Sequence, residues 1–334
     1  QNIMKMLGYR QRRVSSDSTG YKPYRDRLRS NLRMPTLEPD TLFETAMTAH
    51  KRGDLDAARK AYEEVLENDP QHAGAWMNLG VLHRATGASE AALAALRRAE
   101  GLAPDHEGIL YNLGNALMDS DALDAAIEVY RRALQTAPTF ADAYNNLGEA
   151  FIRKGDRKAA IAQFRAGLKR KSTHTGLLVN LGNALHHEGE SDAALSCLSQ
   201  ALEASPNSIA IRRNLGNTLR TLGYLSAAED MLQGALERAP NDANAQVLLA
   251  FCKFAQGEFD AAWDAYVHRW RSDDHEPARH YEAPHWAGQS LAGKRLLIWG
   301  EQAVGDELMF ATMYDEIANM ASDIHVETEF RLLP

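Results

Sequence analysis

Asparagine recurs at one position of a repeated motif, and its side chain has the hydrogen-bonding groups to pair with a peptide bond. The segment "NLGNAL" occupies residues 112–117 and returns at residues 180–185, and related segments start at a constant spacing of 34 residues. The aligned asparagines are Asn78, Asn112, Asn146, Asn180 and Asn214. An amide carries both donor and acceptor groups. A row of amides could therefore hold an extended polypeptide by its main chain.

A second, interrupted row of asparagines lies three residues further along the repeats. Its members are Asn115, Asn183 and Asn217, while Val81 and Glu149 break the row and Leu248 replaces the first-row asparagine in the last repeat. Asparagine in a helix interior costs about 0.5 kcal/mol relative to alanine, because its side chain competes for backbone hydrogen bonds. Two interpretations remain open: the amides bind a polypeptide, or they bond neighbouring repeats and cap helices.

A second segment, "GEQAVGDE" at residues 300–307, contains several acidic residues close to a glycine. Gly305 lies at the predicted start of a helix, where free N–H groups and the helix dipole favour an anion. Glu301 and Glu307 lie nearby, and Asp306 occupies a position that suits a helix N-cap. A cap and an acid–base role for Asp306 are compatible, so both interpretations remain open.

The elements that position the asparagines follow from the period of 34 residues. Apolar residues three and four apart predict two amphipathic helices per repeat. Within each motif a leucine is followed by glycine in five repeats, and alanine recurs twelve residues after that glycine position. A further glycine falls between the two predicted helices of most repeats, and proline ends most repeats. This period is typical of the tetratricopeptide repeat. We predict about seven repeats, mostly α, in a right-handed superhelix whose first helices line a concave face.

The C-terminal residues predict a different structure. Arg295–Trp299 reads as a buried strand, residues 306–320 as an amphipathic helix, and residues 324–328 as a second strand, which together begin a Rossmann-like unit. The predicted organisation is a basic segment at 1–37, the superhelix at 38–271, a linker at 272–290, and the start of an α/β domain at 291–334. Such a domain needs more strands than this, so we expect either that the chain is a fragment of a longer protein or that the α/β unit is a remnant that caps the superhelix.

Charge is distributed unevenly along the chain. Residues 1–35 carry a net charge of +7, and the remainder carries −15. The basic segment could contact nucleic acid, an anionic membrane or the acidic body, or be a solvated leader. An acidic body argues against nucleic acid as the partner. No segment has the length and hydrophobicity of a transmembrane helix.

Cysteine and histidine usage argues against disulfide and metal chemistry. Cys197 and Cys252 fall in different repeats, which favours a reducing cytoplasm over a disulfide framework. Four histidines lie near the linker, at positions 268, 275, 280 and 285. Their spacing is not that of a zinc site, so we expect exposed linker histidines and no metal.

The "NLGNAL" repeats resemble those of O-GlcNAc transferase, whose superhelix carries an asparagine ladder that grips protein substrates by the main chain. The resemblance implies that the two rows of asparagines bind an extended polypeptide. The C-terminal segment "GKRLLIWGEQAVGDE" is similar to segments that follow tetratricopeptide arrays in bacterial proteins with a heptosyltransferase-like domain. That resemblance implies that Asp306 is the base that deprotonates an acceptor hydroxyl, and that a complete domain uses a nucleotide-sugar donor.

Two functions from different classes are consistent with these residues. In the first, the full-length product is a protein glycosyltransferase whose superhelix presents a polypeptide acceptor, with flagellin or another surface protein as a natural substrate. In the second, the superhelix is an interaction scaffold without chemistry of its own. In either case we expect the 334-residue chain to bind a protein, to catalyse nothing and to hold no cofactor.

Overall fold

The computed structural model describes residues 39–272, 286, 289–299, 317 and 319–327. Among these residues, fourteen α-helices are arranged as seven antiparallel pairs. The helices are α1 (Pro39–Lys51), α2 (Leu55–Asn68), α3 (Ala73–Ala85), α4 (Ser89–Leu102), α5 (Glu107–Asp119), α6 (Leu123–Thr136), α7 (Ala141–Arg153), α8 (Arg157–Leu168), α9 (Thr175–His187), α10 (Ser191–Ala204), α11 (Ile209–Thr221), α12 (Leu225–Leu236), α13 (Ala243–Gln256) and α14 (Phe259–Tyr266). A short 3-10 helix, Val267–Arg271, follows α14. The predicted fold class is confirmed, and repeats 1 to 7 are numbered by these pairs.

The turn between the two helices of a repeat needs a left-handed backbone conformation. Glycine supplies it in six repeats, with φ between +76° and +83°, because a residue without Cβ adopts positive φ at no steric cost. In repeat 3 the position is Asp121, with φ of +58°. Aspartate is one of the few residues that tolerate this region, and its Oδ1 accepts a hydrogen bond of 2.7 Å from Arg153 in repeat 4.

The glycine in the middle of each first helix makes room for one large side chain of the second helix. A Cβ placed on any of the five glycines would lie 2.6 to 2.8 Å from a carbon of that side chain. The pairs are Gly80 with Leu96, Gly114 with Tyr130, Gly148 with Phe164, Gly182 with Leu198, and Gly216 with Leu232. The two helices of a repeat approach closely, as predicted, because a large side chain of the second helix packs directly on the backbone of the glycine.

Consecutive repeats are joined by hydrophobic clusters and by ion pairs. The largest buried cluster runs from Leu96 to Ala194 and includes the rings of Tyr130 and Phe164. Most of the ion pairs between repeats are partly exposed, so each contributes at most about 1 kcal/mol. They include Arg84–Asp119, Arg132–Glu100, Arg153–Asp121, Arg157–Glu188 and Arg213–Asp242.

The chain divides into two compact units, at residues 1–275 and 276–334. In the second unit, strand β1 (Arg295–Trp299) pairs in parallel with strand β2 (Asp323–Glu327), with Arg295 opposite Asp323 and Trp299 opposite Glu327. Both predicted strands are thus present, the second shifted by one residue, but the prediction that the first is buried was wrong: Leu297 in β1 and Val326 in β2 are exposed. Across the described residues, no helix has the length and apolar character needed to cross a membrane.

Candidate functional site

All five first-row asparagines lie on first helices, at equivalent points of α3, α5, α7, α9 and α11, and all are half-buried. The first helices also pack against the first helices of adjacent repeats. They form the inner layer of the array, which is the layer that lines the concave surface of a helical solenoid. The structure therefore places the whole first row on the inner layer, where its amides differ in their bonding.

The amides of repeats 3 and 4 are bonded to each other and to two tyrosines. Asn115, which is only 8 % exposed, accepts hydrogen bonds through Oδ1 from the hydroxyl of Tyr130 at 2.6 Å and from Nδ2 of Asn146 at 2.7 Å. The Nδ2 group of Asn146 also lies 3.2 Å from the hydroxyl of Tyr111. Burial raises the pKa of Tyr130, so its hydroxyl remains a donor at all physiological pH values. This network joins repeats 3 and 4 from inside.

A further amide pair joins repeats 4 and 5. Asn180 donates through Nδ2 to Oδ1 of Asn145 at 3.0 Å, and Asn145 lies next to Asn146 in α7. Asn112 uses its amide differently, donating 2.8 Å to the carbonyl of Gly108 in its own helix. The structural interpretation that the sequence left open thus applies to several members of the two rows.

Asn183 and Asn214 differ from the asparagines of repeats 3 and 4, although the same hexapeptide motif carries Asn115 and Asn183. Within the part of the chain that the structure describes, the side-chain amides of Asn183 and Asn214 have no hydrogen-bonding partner. Two neighbours also differ: Val179 and Leu198 occupy the positions that Tyr111 and Tyr130 hold two repeats earlier, so the hydroxyls of the network in repeats 3 and 4 have no counterparts here. Of the asparagines of repeats 5 and 6, Asn180 and Asn217 are bonded within the protein, whereas Asn183 and Asn214 are not.

A basic cluster follows the free amides on the same face. Asn217, the last member of the second row, has Oδ1 2.9 Å from Nη2 of Arg220 and Nδ2 3.3 Å from Nε2 of His186. Burial, helped by the positive charges of His187 and Arg220, lowers the pKa of His186. The guanidinium carbon of Arg220 lies 5.5 Å from the centroid of the Phe251 ring, so an aromatic side chain supports the arginine at the end of the rows.

Sequence reasoning did not identify three histidines that cap first helices. His72, His106 and His174 each precede a helix, and Nδ1 of each accepts a hydrogen bond of 3.0 to 3.4 Å from a backbone N–H of the first turn. Each ring also packs on the glycine two residues later. The signal was present as a repeated His-x-Gly motif, "HAG", "HEG" and "HTG". Glycine fits because a Cβ there would lie 3.1 to 3.3 Å from the ring.

The candidate acid–base residues lie outside the described residues. This applies to Glu301, Gly305, Asp306 and Glu307, and to the histidines at 275, 280 and 285. Their assigned roles stay predictions. Among the residues that the structure does describe, no group of histidine, cysteine, aspartate and glutamate is arranged to hold a metal ion.

The paired helices and their inner layer define a helical-repeat protein of the class that binds proteins or peptides on a concave surface. Three tetratricopeptide-repeat family models match the chain, one at residues 43–107 and 145–209, another at 114–155 and a third at 185–246. The chain therefore belongs to the tetratricopeptide-repeat family, and the matched residues extend from α1 into α13.

Comparisons with individual proteins agree with this assignment. Protein FlbA of Caulobacter vibrioides is 37% identical over 97 residues, a match that covers 28% of this chain and 15% of FlbA. The chain thus corresponds to a minor part of that relative. Among solved structures, a tetratricopeptide repeat protein from Parabacteroides merdae superposes with a TM-score of 0.56 at 18% identity, covering 70% of this chain and 93% of that one. A chain of the Cut9–Hcn1 hetero-tetramer of APC/C superposes with a TM-score of 0.58 at 18% identity, covering 74% of this chain and 48% of that one. These two likenesses concern the fold.

Proposed function

We propose that the inner face of the array binds an extended polypeptide by its main chain. The observation that carries the proposal is the pair of unbonded, half-buried amides of Asn183 and Asn214 on adjacent first helices. Neither amide is among the buried side-chain atoms that lack a partner, so both are accessible from solvent, and a peptide bond supplies both the donor and the acceptor that an amide needs. The resemblance to the asparagine ladder of O-GlcNAc transferase supports the same mode of binding.

The structure divides the proposed ladder into two parts. In repeats 3 and 4 the bonded network of Asn115, Asn146 and Tyr130 holds the first helices at a fixed spacing. In repeats 5 and 6 the free amides contact the ligand. The groove therefore combines a rigid section that maintains curvature with a section that binds the main chain. In this second section the ligand does not compete with existing hydrogen bonds of Asn183 and Asn214.

The experiment uses a peptide without charge or distinctive side chains, so that only main-chain recognition is measured. A blocked, fluorescein-labelled Gln-Gly-Ser repeat peptide is titrated with the 334-residue chain while side-chain amide signals are followed by NMR. The signals of Asn183 and Asn214 should shift, and Asn183→Ala with Asn214→Ala should weaken binding by about tenfold, which corresponds to two hydrogen bonds of ~0.7 kcal/mol each.

Asn68 provides the matched control for this experiment. It is an exposed asparagine on α2, a second helix, and bonds only the carbonyl of Glu64 at 2.9 Å. Asn68→Ala should leave peptide affinity unchanged. Equal affinity of the wild type and the double variant, with both folded by circular dichroism, would contradict the proposal.

We also propose that the second unit begins a glycosyltransferase domain that acts on the polypeptide held by the groove, in the cytoplasm. Its support is the parallel pairing of β1 with β2, which requires a crossover connection through residues 300–322, together with the heptosyltransferase-like motif in that connection. In this proposal Asp306 takes the acceptor proton and a nucleotide sugar is the donor. The free thiols of Cys197 and Cys252 support a reducing compartment.

The catalytic proposal needs the full-length gene product. A polypeptide that co-purifies with it, flagellin or another surface protein, is incubated with each common nucleotide sugar, and its mass is measured. We expect an added hexose or related sugar with the wild type and none with Asp306→Asn. Absence of transfer with every donor would leave the interaction scaffold as the function of the array, and retained transfer by the variant would remove Asp306 as the base.

A further inference from the structure

The His186–Asn217–Arg220 cluster has an excess of positive charge and of hydrogen-bond donors. Arg213, in the same helix as Arg220, is paired with both carboxylate oxygens of Asp242 at 3.1 and 3.2 Å. Arg220 has no such partner among the described residues: its only hydrogen bond is to the neutral amide of Asn217. A cation without a counterion on a half-buried face favours an anionic ligand, because nearby water is partly excluded.

The orientation of Asn217 fixes the proton positions in this cluster. Because its Oδ1 accepts from Arg220, its Nδ2 group faces Nε2 of His186 and donates to it. The proton of neutral His186 is then on Nδ1, which is buried and has no acceptor in the described residues. The Nε group of Arg220 is likewise buried without an acceptor. Two unpaired donors in one cluster indicate that an acceptor group is needed there.

We propose that this cluster is a carboxylate subsite, which selects an aspartate or glutamate side chain of the polypeptide that the groove binds. The inference rests on the proposed function, and adds to it a specificity at a defined repeat. An internal side chain, and not a chain terminus, is the expected ligand, because the inner layer continues past Arg220 into α13 of repeat 7. A small rotation of the Arg220 guanidinium on the Phe251 ring would direct two of its N–H groups at the carboxylate.

The overall charge of the protein makes this specificity testable. Residues 36–334 carry a net charge of −15, so the general electrostatic field disfavours an acidic peptide. Glu149 adds a negative charge to the second row in repeat 4. A preference for acidic peptides therefore requires a local site and cannot arise from non-specific attraction.

The experiment compares two blocked, fluorescein-labelled peptides by anisotropy: a Gln-Gly-Ser repeat, and the same peptide with glutamate at one central position. The wild type should bind the glutamate peptide about tenfold more tightly, as expected for one charge-assisted hydrogen-bonded contact. Arg220→Gln should reduce the ratio to about one without changing affinity for the neutral peptide. Arg220→Lys should retain part of the preference, because the charge remains but the planar pair of donors is lost.

Arg165→Gln is the matched control. Arg165 is on α8, a second helix, and is a half-exposed partner of Glu190 at 3.6 Å. This variant should keep the full preference. Equal affinity of the wild type for the two peptides, or an undiminished preference in a folded Arg220→Gln variant, would overturn the subsite and leave main-chain binding intact. Failure of both peptides to bind would instead contradict the groove, and the subsite with it.

Discussion

The ring of Phe164 lies directly on the backbone of Gly148, so that a Cβ at position 148 would be 2.6 Å from Cδ1 of the ring. Both residues are buried, and the aromatic side chain is fully enclosed. Gly148→Ala must displace the ring or the helix, at a cost of about 1 to 3 kcal/mol, while alanine recovers up to about 1 kcal/mol of helix propensity. We expect a net loss of about 1 to 2 kcal/mol in urea denaturation.

Gly101 is the control for this substitution. It lies in α4 and has no heavy atom within 4 Å of an added Cβ. Gly101→Ala should therefore stabilise the protein by about 0.5 to 1 kcal/mol through propensity alone. If both substitutions changed stability in the same direction and by the same amount, packing against Phe164 would not be the reason for glycine at position 148.

Asn115 and Asn183 offer a test of the division between bonded and free amides. Asn115→Ala leaves the hydroxyl of buried Tyr130 and one donor of Asn146 without their acceptor, which should cost about 1 to 3 kcal/mol. Asn183→Ala removes no hydrogen bond within the described residues and gains about 0.5 kcal/mol of helix propensity. Thermal denaturation should therefore show a lower melting temperature for Asn115→Ala than for Asn183→Ala. Peptide affinity should instead be reduced more by Asn183→Ala.

A double-mutant cycle completes the test of the amide network. Asn115→Ala combined with Tyr130→Phe should be less destabilising than the sum of the single changes, because the second removes the hydroxyl that the first leaves unpaired. Additive effects would show that the 2.6 Å contact contributes nothing to stability.

His174 caps α9 with an imidazole nitrogen as the hydrogen-bond acceptor. Its Nδ1 accepts from the N–H of Leu177 at 3.1 Å, and its Nε2 lies 2.9 Å from Oδ1 of Asp142. His174→Ala should cost about 1 kcal/mol at neutral pH, whereas His174→Asn keeps a capping side chain and should cost much less.

The capping role is measured by urea denaturation at neutral pH. A loss of stability for His174→Asn as large as the loss for His174→Ala would contradict capping by the side chain as the cause.

His186 provides a pH effect. Its pKa is lowered by burial and by His187 and Arg220, so the unfolded chain binds a proton more readily than the native one. Relative to this pH range, stability is at its full value above the ordinary histidine pKa of about 6.5 and is lost as the pH falls from there through the lower native pKa. An NMR titration of His186 should show a midpoint below about 6.5, and Arg220→Gln should raise it. An unchanged midpoint in the variant would show that the charge of Arg220 does not lower the pKa of His186.

The sequence by itself determined the elements of this protein. The period of 34 residues, the apolar spacing and the turn glycines predicted seven helix pairs, and Arg295–Trp299 was predicted as a strand at its observed bounds. These features depend on backbone conformation and on which face of an element is apolar, and both are encoded within a few residues. The His-x-Gly caps were equally local but were not recognised, because histidine is an uncommon cap.

Only the tertiary structure decided which asparagines are bonded within the protein. Asn115 and Asn183 have the same six-residue context, yet one is bonded between repeats and the other has no hydrogen-bonding partner among the described residues. One difference is that Leu198 replaces Tyr130, so the hydroxyl that donates to Asn115 has no counterpart at Asn183. The pairing of His186 with Asn217 and Arg220 likewise arises across adjacent repeats. Such hydrogen bonds depend on the distance between side chains of different elements, which is fixed when the helices pack and not by the spacing of residues along the chain.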